Sequence, residues 1–191
     1  MRILAINGSP RHGGNTETLM DSAIEGAVSL GADVEKITLE GLSIHPCSQA
    51  EYDKVSESGL SIVDDDMNRV FERYFASDAV LVGSPVFFGS ISGQLKVMVD
   101  RFQCVWLSRN RKRKNFARGP RKGVFICVGA QDRTDHYDNA SSIVRNLFAA
   151  TSVTYAGGAF FPGLENSGDA LGNKAYLEKA FELGRSLVEV P

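Results

Sequence analysis

A cluster of polar residues close to the amino terminus has the composition of an anion site. The candidate ligands are Ser9, Arg11, Gly14, Asn15 and Thr16. They follow a short apolar segment at residues 2–7, which predicts a β-strand, and a helical pattern of apolar residues begins at Thr16. At such a turn the main-chain N–H groups and the positive end of the helix dipole converge on one point. The sequence therefore predicts a phosphate site, with Arg11 closing over the anion.

The spacing of this first loop differs from three familiar phosphate-binding sequences. A Walker loop needs Lys followed by Ser or Thr where Gly14-Asn15 stands, so a nucleoside triphosphate would lack its main charge partner. The dinucleotide sequence G-x-G-x-x-G fails at Pro10, and the loop has no cysteine to serve as a phosphatase nucleophile. What remains is a site for one phosphate group. We expect flavin mononucleotide (FMN) there, and the alternative is a simple Gly-Ser-Pro turn.

A second loop has the residues that a flat ring system requires. Its members are Ser84, Pro85, Val86, Phe87, Phe88 and Gly89. They lie between an apolar segment and a helical pattern that starts near Ser92. The Pro and Gly residues predict a turn, while the two aromatic side chains offer apolar surface beside main-chain amides. This combination suits the apolar rings and the polar edge of a flavin. The alternative is a pair of core aromatic residues.

The two loops, together with Gly93-Gln94-Leu95-Lys96 and Asp100-Arg101, resemble those of the NAD(P)H-dependent FMN reductases. The most similar branch is that of the iron–sulfur flavoproteins, and the resemblance covers nearly the whole chain. It implies a flavodoxin-like fold, with the FMN phosphate in the first loop and the ribityl chain and isoalloxazine along the second. The strand end at Gly129-Ala130-Gln131 is expected to approach the ring from the other side, which adds Gly129 and Gln131 to the candidate site.

The cysteines depart from that branch. Iron–sulfur flavoproteins carry a compact run of four cysteines before an Asp-Asp-Met sequence, whereas this chain has only Cys47 ahead of Asp65-Asp66-Met67. A four-iron cluster is held by four thiolates. The other two cysteines, Cys104 and Cys127, fall in a helical and a strand pattern. We therefore expect no iron–sulfur cluster.

These observations favour an FMN-dependent oxidoreductase. NAD(P)H, that is NADPH or NADH, would deliver hydride to the flavin, and electrons would pass to a small-molecule acceptor such as free flavin or a quinone. No protein acid or base is strictly required, so the sequence names no catalytic residue. The first alternative is a flavodoxin-like electron carrier without NAD(P)H oxidation activity, and another is a flavin-free regulatory or scaffold protein.

The elements that would position these loops alternate along the chain. Strands are predicted at residues 2–7, 33–39, 78–84, 122–129 and 153–161. Amphipathic helical patterns separate them, which predicts an α/β three-layer sandwich with a five-stranded parallel sheet of order 2-1-3-4-5. With 191 residues, 43% of them hydrophobic, we expect a single FMN-binding domain over residues 1–191. A long connection at 40–65 and a basic loop at 107–121 interrupt the pattern.

The distribution of charge and the spacing of the histidines limit which partners are expected. Eight of the 21 basic residues lie between positions 109 and 122, either as a solvated loop or as a flap that meets the 2′-phosphate of NADPH. The net charge of −2 and the scarcity of aromatic residues among these basic positions speak against nucleic acid. His12, His45 and His136 lack metal-ligand spacing, so no metal site is expected.

The remaining expectations concern compartment and assembly. Three cysteines favour reduced thiols in a cytoplasm, and no apolar run is long enough to cross a membrane. In the related family the flavin lies at a subunit interface, so the resemblance implies a homodimer or a homotetramer.

Overall fold

A computed structural model of the chain describes residues 1–50, 54, 60–112, 116 and 119–189. The strands are β1 (Arg2–Asn7), β2 (Asp33–Thr38), β3 (Ala79–Phe87), β4 (Ser90–Ile91), β5 (Arg121–Val128) and β6 (Val153–Phe161). The helices are α1 (Asn15–Ser29), α2 (Met67–Ala76), α3 (Gly93–Arg101), α4 (Gln103–Lys112), α5 (Thr134–Ala150) and α6 (Lys174–Val188). Each predicted strand and each predicted helical stripe corresponds to one or more of these elements.

Five strands form a parallel sheet in the order β2-β1-β3-β5-β6, and the predicted flavodoxin-like order is confirmed. The short strand β4, which the sequence analysis did not predict, pairs antiparallel with the end of β3. The strand order reverses between β1 and β3, so their carboxyl ends border the crevice in which such sheets bind ligands.

Both faces of the sheet are covered, as the apolar strands predicted. Alternate residues of β1 enter two separate cores: Ile3 and Ala5 pack on the side of α1 and α6, and Leu4 and Ile6 pack on the side of α2, α3 and α5. This alternation follows from the two-residue period of a strand.

Helices α1 and α6 approach each other through two glycines. A Cβ added at Gly26 would collide with the main-chain carbonyl of Phe181, and one added at Gly184 would collide with that of Ala23. The helices therefore touch main chain to main chain. Helix α6 thus supports the second half of α1, whose first turn belongs to the predicted phosphate loop.

Several boundaries differ from the prediction. The strand predicted at 78–84 continues to Phe87, because its last residues pair with β4. The helix predicted from Ser92 to about Trp106 is divided into α3 and α4 at Phe102. Most of the predicted basic loop at 107–121 that the structure describes is regular structure, since residues 107–112 are helical and Arg121 begins β5.

A buried ion pair fastens the predicted 40–65 connection to α3. The Arg101 guanidinium donates to the Asp65 carboxylate, to the His45 carbonyl at 2.9 Å and to the Ser61 hydroxyl at 2.6 Å. The side chains of Arg101 and Asp65 are 0% and 2% exposed. Burial by itself raises the pKa of Asp65, but hydrogen bonds from Arg101 and from the His45 main chain outweigh it, so that pKa lies below its ordinary value.

Candidate functional site

The carboxyl ends of β1, β3 and β5 bring the predicted loops to one edge of the sheet. The first two loops are joined directly, because Gly8 N–H donates to the Gly83 carbonyl at 2.8 Å and the Ser92 hydroxyl donates to the Gly8 carbonyl. A Cβ added at Gly8 would lie 2.8 Å from the Cβ of Leu95, closer than real Cβ contacts come. This close approach requires glycine and fixes the spacing of the two loops.

The first loop presents the start of α1 without a side-chain cap. Gly14 is the N-cap residue and no side chain accepts a hydrogen bond there. Gly13 has a φ of 63°, in the left-handed region that favours glycine. Asn15 and Thr16 follow at the first helical positions and are buried. The first-turn N–H groups of a helix need acceptors from outside the helix, so this buried, uncapped start fits a phosphate group.

The predicted side-chain ligands of this loop have different surroundings. The Ser9 hydroxyl accepts from Arg11 N–H at 3.1 Å, and the exposed Arg11 side chain lies at the loop surface. The Asn15 amide donates to the Asn166 carbonyl at 2.8 Å and accepts from Ala170 N–H at 3.1 Å. In these bonds Asn15 ties the loop to the segment before α6, a role that sequence reasoning did not find.

A carboxylate also lies at the start of α1. Gly13 N–H donates to Glu17 Oε2 at 2.7 Å, and Glu17 forms an ion pair with Lys36 at 3.0 Å. The Gly13 hydrogen bond, followed by that of Lys36, lowers the pKa of Glu17. A negative charge in the first turn is favourable for the helix, and Lys36 balances it at the edge of the predicted phosphate site.

The second loop is a tight β-hairpin. Phe87 pairs with Ser90, so Phe88 and Gly89 form a two-residue turn with φ values of 49° and 73°. Two positive φ values are typical of a type I′ turn, in which Asn-Gly is common and an aromatic first residue is strained. Phe88 is fully exposed, whereas Ser84 is fully buried. The strained turn therefore leaves the apolar Phe88 ring exposed to solvent.

Hydrogen bonds within the protein hold this hairpin in place. The Ser84 hydroxyl donates to the Pro85 carbonyl at 2.8 Å and accepts from Ser92 N–H at 3.0 Å. At the tip, the Asn139 side-chain amide donates to the Gly89 carbonyl at 2.8 Å. Ser84 thus stabilises the base of the hairpin from the interior, and Asn139 fastens its tip to α5.

A cleft of about 450 Å³ lies between the hairpin, the end of β5 and the start of α5. Its lining residues are Val86, Phe88, Gly89, Gly129, Ala130, Gln131, His136 and Phe160. The hairpin and the strand end predicted to face each other across a ring therefore line one cavity. A Cβ added at Gly129 would lie 3.1 Å from the Phe160 ring, so glycine keeps this wall close to the aromatic side chain.

Sequence reasoning named neither His136 nor Phe160 as a site residue. Phe160 lies in β6, and its ring is stacked on Tyr137 with centroids 5.6 Å apart and planes 19° apart. His136 lies in the first turn of α5, half-buried. The aromatic wall has a signal in the sequence, because Phe160-Phe161 ends a predicted strand, but the approach of His136 to the hairpin is visible only in three dimensions.

The described members of the basic segment support the fold. Arg109 donates to the Ala149 carbonyl at 3.1 Å, at the end of α5. Arg121 is buried and donates to the carbonyls of Tyr74 and Thr151, each at 2.7 Å. Arg113, Lys114 and Arg118 lie outside the described residues, and for Arg111 and Lys112 only the main chain is described. The predicted contact with NADPH therefore stays a prediction.

The cysteines are distributed over separate elements. Cys104 and Cys127 are buried in α4 and β5, and Cys47 is half-buried. Burial raises the pKa of the Cys127 thiol to about 12.

Within the described ranges, no group of three or more His, Cys, Asp or Glu side chains has a metal-binding arrangement. In the same part of the chain no helix is both long and apolar enough to span a bilayer.

Comparison with known proteins identifies related chains. The sequence model of the family described as NADPH-dependent FMN reductase matches residues 1–162. An iron–sulfur flavoprotein of Methanocaldococcus jannaschii is 29% identical over 197 aligned positions, covering 100% of this chain and 97% of the relative. A second iron–sulfur flavoprotein of that organism is 32% identical over 161 positions, covering 84% of this chain and 77% of the relative.

Solved structures share the fold. The NAD(P)H:quinone oxidoreductase from Methanothermobacter marburgensis superposes with a TM-score of 0.72 at 20% identity, covering 100% of this chain and 98% of the other. At that identity the likeness is one of architecture, and the assignment rests on the sequence match, which extends from β1 through β6. The chain therefore belongs to the NADPH-dependent FMN reductase family.

Proposed function

We propose that this enzyme holds FMN along the edge formed by its first two loops, oxidises NAD(P)H and passes electrons to a small acceptor. Membership of the family supports FMN as the cofactor and NAD(P)H as the reductant. The observation that carries the placement is the juxtaposition, at one sheet edge, of an uncapped helix start and a cleft that two aromatic side chains line. One suits the phosphate and the other the ring.

Individual residues have separate tasks in this proposal. The N–H groups at the start of α1 and the Thr16 hydroxyl donate to the phosphate, and Arg11 covers it from solvent. Charge-assisted hydrogen bonds of this kind are worth about 1.5–3 kcal/mol each. Ser9 and Asn15 hold the loop in shape through their internal bonds.

The cleft residues orient the ring and keep water from it. Gly89 and Gly129 line a space whose other walls include Val86, Phe88 and Phe160. FMN, if held there, would supply the redox chemistry between NAD(P)H and an acceptor. The protein's share of the catalysis is the orientation of the two reactants and the electrostatics of the cleft.

The proposal includes the absence of an iron–sulfur cluster and the presence of more than one subunit. The chain has three cysteines, one fewer than a four-thiolate cluster needs, and two of them are buried in the core. The exposed rings of Phe87, Phe88 and Trp106 are apolar surface of the kind that a second copy covers. A homodimer or homotetramer is the expected assembly.

The deciding experiment is an anaerobic titration of the purified, FMN-loaded protein with NADPH and with NADH. Loss of the oxidised flavin absorbance at one equivalent supports the proposal; a protein that binds FMN but is not reduced by either nucleotide would be an electron carrier. Iron and acid-labile sulfide should both be absent. Light scattering should give a multiple of the 20.7 kDa chain mass, and a single chain mass at micromolar concentration contradicts the assembly.

A further inference from the structure

One main-chain donor at the start of α1 has an acidic side chain as its acceptor. Gly13 N–H donates to Glu17 Oε2 at 2.7 Å, and Glu17 lies in the first turn of the helix. A carboxylate and a phosphate are both anionic acceptors that suit the N–H groups and the dipole of a helix start. The two anions therefore have the same donor available to them.

The second oxygen of this carboxylate has a partner on β2. The Lys36 ammonium donates to Glu17 Oε1 at 3.0 Å and to Asp21 Oδ1 at 2.7 Å. The Glu17 side chain is 17% exposed and that of Lys36 is 30% exposed. The hydrogen bond from Gly13, followed by that from Lys36, lowers the pKa of Glu17, so the carboxylate is charged at neutral pH. Glu17 thus has a separate partner for each oxygen, and it can keep Lys36 while it gives up Gly13.

The main chain at Gly13 borders open space. A Cβ added there would meet no described atom within 4 Å, whereas one added at Gly14 would lie 3.2 Å from the Cβ of Arg11. The φ of 63° at Gly13 turns the main chain at this point, just before the helix begins at Asn15. A ligand oxygen therefore has room beside the residue whose N–H Glu17 uses.

We propose that Glu17 competes with the phosphate of FMN for the Gly13 N–H, and that Lys36 retains the carboxylate when the phosphate takes this donor. The inference rests on the function proposed above, in which the first loop binds the phosphate. Lys36 is then a positioning residue, since it acts on the ligand through Glu17. The exchange involves no covalent step, because one hydrogen bond of the Gly13 N–H replaces another.

Competition of this kind has opposite effects on the two forms of the protein. In the apoprotein the carboxylate satisfies the Gly13 N–H and interacts favourably with the helix dipole. With FMN bound, the carboxylate lies beside a second anion, and like charges repel. Glu17 should therefore stabilise the apoprotein and weaken its affinity for FMN, so that bound FMN exchanges more readily with free FMN. Lys36 limits the repulsion by neutralising the carboxylate.

The first test neutralises Glu17 and keeps its shape. Glu17→Gln apoprotein should bind FMN about threefold to tenfold more tightly, because an amide is a weaker acceptor than a carboxylate and does not repel the phosphate. Its affinity for riboflavin, which lacks the phosphate, should not change, and the Tm of the apoprotein should fall. Glu25→Gln removes an exposed carboxylate further along α1 and should alter neither affinity. Unchanged or weaker FMN binding by Glu17→Gln, an equal gain for riboflavin, or an apoprotein that is not destabilised overturns the proposal.

A double-mutant cycle tests the role of Lys36. Lys36→Met should weaken FMN binding about threefold to tenfold, because the displaced carboxylate then lacks this cation. In the Glu17→Gln background the same substitution should weaken FMN binding less than about twofold, since a neutral amide needs no cation. An equal loss in both backgrounds would mean that Lys36 attracts the phosphate directly, and it overturns the role assigned through Glu17.

The amide NMR signal of Gly13 gives a test on the wild-type protein that is independent of turnover and of the folding of variants. FMN should shift this signal because the N–H changes its acceptor, and riboflavin should leave it in place. A protein that binds FMN, is reduced by NAD(P)H and shows no FMN-specific shift at Gly13 refutes the competition alone. One that binds no FMN, or binds FMN that NAD(P)H does not reduce, refutes the proposed function.

Discussion

Two buried polar clusters of this molecule differ in whether hydrogen bonds within the chain satisfy their polar groups. We call them the Arg101 cluster and the α1 start. Around Arg101, the guanidinium has acceptors from Asp65, His45 and Ser61, all within the chain. At the start of α1, Asn15 and Thr16 are also buried, but no side chain caps the helix. Buried polar groups are costly unless they are paired. A cluster whose pairs are complete serves the fold, and one that leaves helix N–H groups without a cap is suited to a ligand.

The largest expected effect is the loss of stability when the Arg101 cluster is broken. Arg101→Met should lower the free energy of unfolding by about 3–5 kcal/mol, because it leaves the Asp65 carboxylate buried without its cation. The matched control is Lys96→Met, which removes an exposed ion pair with Asp100 and should cost less than about 1 kcal/mol. Urea unfolding measures both. Equal costs would mean that the buried pair is no more important than a surface pair.

The second effect concerns FMN binding at the α1 start. Arg11→Ala combined with Thr16→Val should weaken FMN binding roughly tenfold or more, because two donors to the phosphate are lost. Fluorescence titration of apoprotein with FMN measures it. Riboflavin, which lacks the phosphate, should bind wild type and variant with similar affinity. Unchanged FMN affinity would show that the phosphate is held elsewhere.

Acid should reduce the stability that Asp65 contributes through the Arg101 cluster. The pKa of Asp65 is lowered in the folded chain, so its carboxylate stabilises the fold above its ordinary pKa and loses this contribution as pH falls through the folded value. The stability difference between wild type and Asp65→Asn should therefore be constant above about pH 5 and shrink below about pH 4. Asp64→Asn removes a neighbouring exposed carboxylate and serves as the control. A difference that grows in acid contradicts the assigned direction.

The smallest expected effect separates stability from function at the hairpin. Phe88→Asn places a residue suited to positive φ at the first turn position and should raise the free energy of unfolding by about 0.5–1 kcal/mol. It should also reduce the affinity for a flat ligand, because one wall of the cleft disappears. Thermal unfolding and ligand titration measure the two effects. A loss of stability would mean that the Phe88 ring makes contacts that outweigh its strain.

Much of this architecture could be predicted because local patterns and the global fold agree. The stripe of Met67, Val70, Phe71 and Tyr74 was expected in the core and is buried there. The order of the parallel strands followed from alternating strands and helices with ligand loops after the first and third. The predicted strand end at Ser84 was wrong. Pro85 and Gly89 indicate a turn in the sequence, whereas pairing with β4 extends the strand in space.

The parts of the site that could not be predicted depend on contacts between distant residues. That Asn15 donates to the phosphate stays a prediction, whereas its bonds to Asn166 and Ala170 join positions that are separated by about 150 residues. His136 has no neighbour in sequence that suggests chemistry, and its place over Gly89 results from the packing of α5 on the hairpin. Local spacing carries no signal for either contact.

The close packing of α1 against α6 has a consequence for how short a working version of this protein can be. The stretch that matches the family ends at residue 162, ahead of α6, which begins at Lys174. A polypeptide cut there would retain every residue that lines the cleft. It would lose the helix that meets α1 at Gly26, together with the Asn166 and Ala170 anchors of the first loop. We therefore expect a flavin-binding unit to need the chain through Val188, well past the stretch by which the family is recognised.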